Sequence, residues 1–441
     1  MTNNIIFFVD DLPQYSVPAN AEDPNSKLLY SLIYQPIFNK INGNFTSDCI
    51  EDCSAKNIIQ FKFGNKIFWS DNTPLTAKDF FYTLKHIFLS RSNCCYYLDF
   101  IEGVKEFIYG DGSIDDIKIW IKDNIFFAKT VVQDTYKDVF SRINFAPMKY
   151  NDDGEFDSSV TSGGYYYQSI NSHKILLKKN LHYKLLPNYI EIIEEKDVKK
   201  QIQQIENGQL AYSGFTSLGF QELSSNKEIY ELPSKISFRV IFDSEFFEIV
   251  YKKKIKKDIV TELNRYNELL KFITINNNFS DNYQSEDIAI EEKEHIKVLS
   301  PNYFPNNLIV DCLMQSMDEY NFIFECDFLP FKEYLSEDWE KYDIVLELVE
   351  PITENPIDAF IEQIKFIKTA YRSEYVSLIN QYIKLKDDRK KEKANEINQF
   401  IQIYSRAFDL GIFRQYYIKS SSLPNVEITD AGLINITKMF L

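Results

Sequence analysis

The sequence predicts an α/β protein of more than one domain, and three observations carry that expectation. Its 441 residues exceed the roughly 100–200 of a typical single domain. Stretches with apolar residues at i, i+3, i+4 and i+7, the period of a helix, alternate with stretches in which every second residue is apolar, the period of a strand. Finally, Asp343 to Val349 is almost continuously apolar, which predicts a strand covered on both faces and hence a sheet flanked by helices.

The elements follow in order. Ile59, Phe61 and Phe63 alternate with Gln60 and Lys62, and Ile117, Ile119 and Ile121 with Lys118 and Lys122; both predict half-buried strands. Between them Thr76, with Asp79 three residues on, signals a capped helix start, and Ala77, Phe80, Phe81, Leu84, Ile87 and Phe88 form its apolar face. Strands are expected from Lys174-Ile175-Leu176-Leu177 and at Tyr189–Glu194, then a helix with Val198, Ile202 and Ile205 on one face, stopped by Gly208. Ile236, Phe238 and Val240 alternate as a further strand. Helical patterns run through 246–273, and the polar stretch Asn276 to Glu294 predicts an exposed loop. Leu308, Ile309, Cys312, Leu313 and Met317 form a helical stripe; Phe322, Phe324, Cys326 and Phe328 alternate as a strand. Helices are expected through 357–371 and 375–406, and strand-like patterning returns from Gly411.

Composition narrows function. With 65 acidic and 49 basic side chains the net charge is −16, a poor match to a nucleic-acid partner. The basic clusters Lys252 to Lys257 and Lys384 to Lys393 fit solvated helix faces. The apolar run Ile5 to Val9 ends at Asp10, too short for a signal peptide or a membrane span. The expected location is therefore the cytoplasm, or extracytoplasmic if a leader has been removed. No CxxC pair occurs among the six cysteines, and no histidine is near Cys49 and Cys53, so free thiols are expected and no metal or cofactor. Asp111, Ser113, Asp115 and Asp116 lack the order of a calcium loop and fit a turn. No G-x-S-x-G, H-E-x-x-H, P-loop or G-x-G-x-x-G motif occurs, so an enzyme is not expected.

Trp69-Ser70-Asp71-Asn72-Thr73-Pro74-Leu75-Thr76-Ala77-Lys78-Asp79-Phe80 resembles the W-S-D-G-T-P-L-T-A-x-D-V segment of the family 5 extracellular solute-binding proteins, which serve oligopeptide, dipeptide and nickel importers. Its physical sense is a proline-fixed turn, a threonine cap and an acid at the positive end of a helix. Further matches follow in family order. Ser162-Gly163-Gly164-Tyr165 is similar to T-G-P-Y, Leu177 through Asn180 to Tyr183 to L-x-R-N-P-x-Y, and Gln204 to Ala211 to a helix end L-x-x-G-E-x-D. Leu335 through Pro356 resembles the y-D-i…D-Y-x-x-P region, and Ile412 to Leu441 the closing strands. The short length and missing leader resemble, more narrowly, the ligand-sensing domain of sugar-phosphate stress regulators.

The resemblance implies a two-lobed periplasmic-binding-protein-like fold, type II and of the peptide-binding class, with a hinge. Lobe I would span 1–235, with an inserted subdomain at about 46–160, completed by 411–441, and lobe II 236–410. It further implies a non-catalytic monomer that closes around a small molecule or peptide, acting as a cytoplasmic sensor or carrier. The alternatives are an importer component whose leader is missing, or a fold recruited for protein interaction in a peptide pathway; a transporter or regulatory protein would be the partner. One departure is specific: where D-Y-x-x-P aligns with Pro356, its aspartate falls on Ile352, which cannot pair with a peptide ammonium. Glu350 or Glu354 stands one or two residues away.

The candidate ligand-binding residues are Glu347, Glu350, Glu354, Asn355, Arg414, Tyr416, Tyr34 and Phe215. The three glutamates suit a cationic or hydroxyl-bearing ligand, or a solvated edge. Arg414 suits an anionic ligand end or a surface ion pair, and Tyr165 to Tyr167 with Tyr416 and Tyr417 suit a cleft wall or packing between strands.

Overall fold

Ile5 to Val9, apolar at every position, forms strand β1 and is buried along its whole length in the computed structural model of the protein. The structure describes residues 4–440 apart from 14–16, 22, 65, 110–111, 132–135, 152–154, 214–227, 233–235, 253–254, 268, 276–294, 303–304, 321, 350–355 and 386. The chain forms two units: Met1–Leu218 with Glu222–Leu232 and Tyr416–Leu441, and Gly219–Gln221 with Pro233–Gln415.

In the first unit, β2 (Asn39–Ile41) and β3 (Asn44–Thr46) form a hairpin, while β4 (Ile50–Asp52), β5 (Ile58–Phe63), β6 (Ile119–Lys122) and β7 (Ile125–Lys129) form a sheet of order β4-β5-β7-β6. Then come β8 (Tyr165–Asn171), β9 (Lys174–Lys179), β10 (Tyr189–Glu194), β11 (Ala211–Ser213) and β12 (Tyr230–Leu232). With β1 and the returning strand Gln415–Lys419, described below as β19, they make a seven-stranded sheet in which β1 runs parallel to β10 and β11. One aromatic-rich core joins both sheets. Phe7 stacks on Tyr212 at 4.8 Å, and Phe61 has Phe38, Phe80, Phe126, Tyr136 and Phe140 around it at 5.5 to 6.1 Å.

The helix Ala77–Leu89 starts as its capping pattern predicts. Asp79 Oδ2 accepts from the Thr76 amide and hydroxyl, both at 2.8 Å, and from the buried Trp69 indole at 3.4 Å. One carboxylate thus closes the turn and fixes the helix on the core. The expected strand around 117–121 is corrected: β6 begins at Ile119 and is an edge strand, with Trp120 and Ile121 each 40% exposed. Alternation there reflects an open edge rather than one covered face.

The second unit contains β13 (Ser237–Phe242), β14 (Ile273–Ile275), β15 (His295–Pro301), β16 (Ile323–Leu329), β17 (Ile344–Val349) and β18 (Ala407–Phe413), in the order β14-β18-β13-β17-β15-β16. The chain returns to the first unit through β19 (Gln415–Lys419). Phe238, Val240, Ile344, Leu346 and Phe408 face helices Ser244–Lys252, Ile255–Arg265 and Asn306–Gln315. Ile241, Leu299, Val345 and Ala407 face Tyr334 and Phe366. Cover on both faces, expected for β17, also holds for β13, which alternation alone predicts to be half-buried. The helical span 246–273 resolves into two helices followed by β14, and 375–406 falls into Arg372–Lys384 and Asp387–Tyr404. Strand β15 has no counterpart in the sequence expectations, because Lys297 interrupts a short apolar run. The loop expected at Asn276 to Glu294 lies outside the described residues.

Lys256, 5% exposed, donates from Nζ to the carbonyls of Ser405 at 2.6 Å and Gln402 at 3.1 Å, where the helix Asp387–Tyr404 ends. That terminus carries partial negative charge, and the rings of Phe247 and Phe408 lie 4.9 and 5.5 Å from the ammonium. Burial, with Lys368 adding repulsion, pushes Lys256 down to about 7. Since the folded value lies below that of an unfolded lysine, the unfolded chain binds the extra proton between about pH 7 and 10, and stability rises with pH across that window. Denaturation midpoints should therefore show the wild type gaining on Lys256→Met between about pH 7 and 9; a constant difference would mean that Lys256 titrates as an ordinary lysine.

Candidate functional site

A buried arginine organises the candidate residues of the second unit. Strand register sets Arg239 of β13 opposite Glu347 of β17 on one side and Asp409 of β18 on the other. Arg239 Nε donates to Asp409 Oδ1 and Nη1 to Glu362 Oε1, each at 2.7 Å. Glu347 Oε2 lies 3.8 Å from Nη1 and is buried without a hydrogen bond. Burial raises the Glu347 carboxyl above its usual range; Arg239 and Lys365 oppose the rise, and Glu362 and Asp409 reinforce it. Glu347, read from sequence as a ligand group or a solvated edge, here faces Arg239 inside its own unit. Sequence reasoning missed Arg239, although an arginine within the apolar run 236–242 is a signal that acids must lie at neighbouring registers.

Ile412 and Val349 both stand opposite Ser237, so Arg414 follows β18 at the end of the sheet where β17 terminates. Its Nε donates to Thr274 Oγ1 at 3.0 Å and its amide to Phe272 O at 2.6 Å. Among the described residues it makes no ion pair, in contrast to the surface pair considered from sequence. Tyr416 lies in the first unit, packed on Val198, Ile202 and Ile418. Tyr34 is buried there beside Tyr30, with ring centroids 5.9 Å apart. Glu350, Glu354, Asn355 and Phe215 lie outside the described residues, as do Ile352 and Asp111.

The motif segments of the first unit meet around a pocket of about 490 Å³. Gly163 N donates to Ile33 O at 2.8 Å, Asn180 Nδ2 to Gly163 O at 3.2 Å, and Tyr183 Oη to Ser162 O at 3.3 Å. A Cβ on Gly163 would lie 2.5 Å from the Ile33 carbonyl carbon, so only glycine permits this approach. Asn72 holds φ +67°, and its Oδ1 lies 3.1 Å from Nε2 of His182, whose ring stacks on Phe68 at 5.0 Å. The pocket is lined by Gln35, Asn39, Asp48, Lys66, Phe68 and the segment Leu433–Lys438, among others. Its lining comes from widely separated segments, so no local pattern announces it.

Removing Arg239 leaves three carboxylates facing one another. Because Glu362 and Asp409 are partly solvated, Arg239→Met should cost about 3 kcal/mol at neutral pH, the low end for a broken buried pair, and recover toward pH 4. Glu347→Gln should cost little and remove a pH dependence. A raised folded value means that stability from Glu347 is full below the unfolded glutamate range and lost as pH rises through the folded one. Chemical denaturation of both variants at several pH values checks these expectations; a large loss in Glu347→Gln would contradict them.

Residues 54–258 match the family of bacterial extracellular solute-binding proteins, family 5, in its middle region. No curated protein matches the chain in sequence. Among solved structures the chain is similar to Listeria monocytogenes OppA bound to peptide, with TM-score 0.77 and 12% identity over 100% of this chain and 99% of that one. It is also similar to the Escherichia coli murein tripeptide binding protein MppA, with TM-score 0.79 and 11% identity over 100% and 98% of the two chains. Staphylococcus aureus NikA in complex with Ni(L-His)2 gives TM-score 0.71 and 13% identity over 99% of each chain. The protein thus has the two-lobed α/β fold of the family 5 type of solute-binding protein.

Proposed function

We propose that this chain is a non-catalytic binding protein that captures a peptide or another small solute by closure of one unit on the other, as a sensor or carrier in the cytoplasm. The observation that carries the reading is the fold of the entire chain, similar over 100% of its length to a protein solved bound to peptide. The family match over 54–258 supports the same role, and all six cysteines are free thiols, as a reducing compartment favours. The same match equally favours a second reading, an importer's substrate-binding component. With Ile352 at the position of the family aspartate, the ligand is a solute whose recognition does not require a free amino end.

Native mass spectrometry of the full chain, purified gently from its own cells, should show a discrete bound mass that is lost on denaturation. An empty protein that no peptide or sugar-phosphate stabilises thermally would overturn the reading. For any peptide that binds, calorimetry should give N-acetylated and free-amine forms affinities within a few-fold of each other; a strong preference for the free amine would show that an acid replaces the aspartate. The bound ligand should also lower the radius of gyration in solution scattering.

A further inference from the structure

The pocket of the first unit holds polar groups of two kinds. Most are committed within the protein: Tyr183 to Ser162, His182 to Asn72, Lys438 to Glu427 at 3.3 Å, and Asn435 to the Lys438 amide and Thr437 hydroxyl. In contrast, among the described residues the side chains of Asn39, Asp48 and Lys66 make no hydrogen bond or ion pair, although all three line the pocket. Asp48 and Lys66 carry opposite charges on one cavity and do not pair with each other. Ile41, Phe68, Leu433 and Ile436 form an apolar part of the wall, beside Ser31, Gln35, Thr46 and Thr429. A volume of about 490 Å³ falls in the range that small-molecule sites occupy.

We propose that this pocket is a second binding site, for a zwitterionic amino acid with an apolar side chain. Lys66 takes the carboxylate, Asp48 the ammonium, Asn39 adds an amide contact, and the apolar wall receives the side chain. An uncharged ligand would leave both charges unused, and a ligand of one sign would satisfy only one of them. Every group involved belongs to the first unit, so the site needs no closure and stands whether or not the capture reading above holds.

The test is calorimetric titration of the full chain with L-phenylalanine and L-leucine, with N-acetyl-L-phenylalanine amide as the uncharged control. Phenylalanine or leucine should bind and the blocked amide should not. Asp48→Asn and Lys66→Met, both at exposed positions and checked for an unchanged melting temperature, should each weaken binding by tenfold or more. Neither substitution should alter affinity for a peptide or solute found by native mass spectrometry, which keeps this site distinguishable from that of the main ligand. Absence of binding by both amino acids, equal binding of the blocked amide, or affinity unchanged in both variants would overturn the proposal.

Discussion

The second unit is built around a charge that has almost no access to water. Burying a guanidinium in a sheet covered on both faces is unfavourable unless its donors are met by acceptors held in place. Arg239 meets that condition with Asp409 and Glu362 at 2.7 Å, and the requirement restricts three elements together. Strands β17 and β18 must pair with β13 in the register that brings residues 347 and 409 opposite residue 239. A one-residue slip of either strand would turn its acid to the other face, where Phe238, Val240 and Leu346 pack. The helix Pro356–Gln363 must approach the same face, because Glu362 is its contribution. The arginine therefore selects a register as well as stabilising one.

The first unit solves a different problem. Its sequence motifs join distant segments by backbone contact, and each unusual residue serves that end. Gly163, in the bend before β8, permits the backbone to touch the end of the helix Pro24–Ile33, and Asn180 fastens the same glycine from the other side. Asn72 adopts the left-handed conformation more readily than most residues and gains from its side chain a hydrogen bond to His182 that a glycine could not make. These residues are a frame rather than a reactive site. A rigid frame is what a binding site requires, since groups fixed before the ligand arrives lose less entropy on association.

Much of this architecture can be read in the sequence. The capped helix at 77–89, strand Tyr189–Glu194 and the apolar strand ending at Val349 carry their own periodicity, and the segment around Trp69 carries the turn chemistry that starts its helix. What cannot be read is set by partners distant in sequence. Alternation at 236–240 resembles a half-buried strand because Arg239 is polar by identity, and only the acids at 347, 362 and 409 show why it is buried. Ile121 looks like a half-buried residue because nothing local says that β6 is an edge. Glu347 illustrates the same point: the apolar run of its own strand is legible, and the Arg239 that stands opposite it on β13 is not.

The distribution of unsatisfied charge adds a last step. Folding consumes polar groups wherever it can, since a buried one left unpaired is costly. Arg239 and Lys256 meet that demand with carboxylates and helix-end carbonyls, whereas Glu347 Oε2 stays buried without a hydrogen bond. Against that background, Lys66 and Asp48 stand out as opposite charges that share a cavity and stay apart. Pairing them with each other would close the site, whereas exposing them on separate surfaces would waste their complementarity. Their placement at the pocket costs the fold little because both side chains reach water, and it leaves both charges available for a ligand to use.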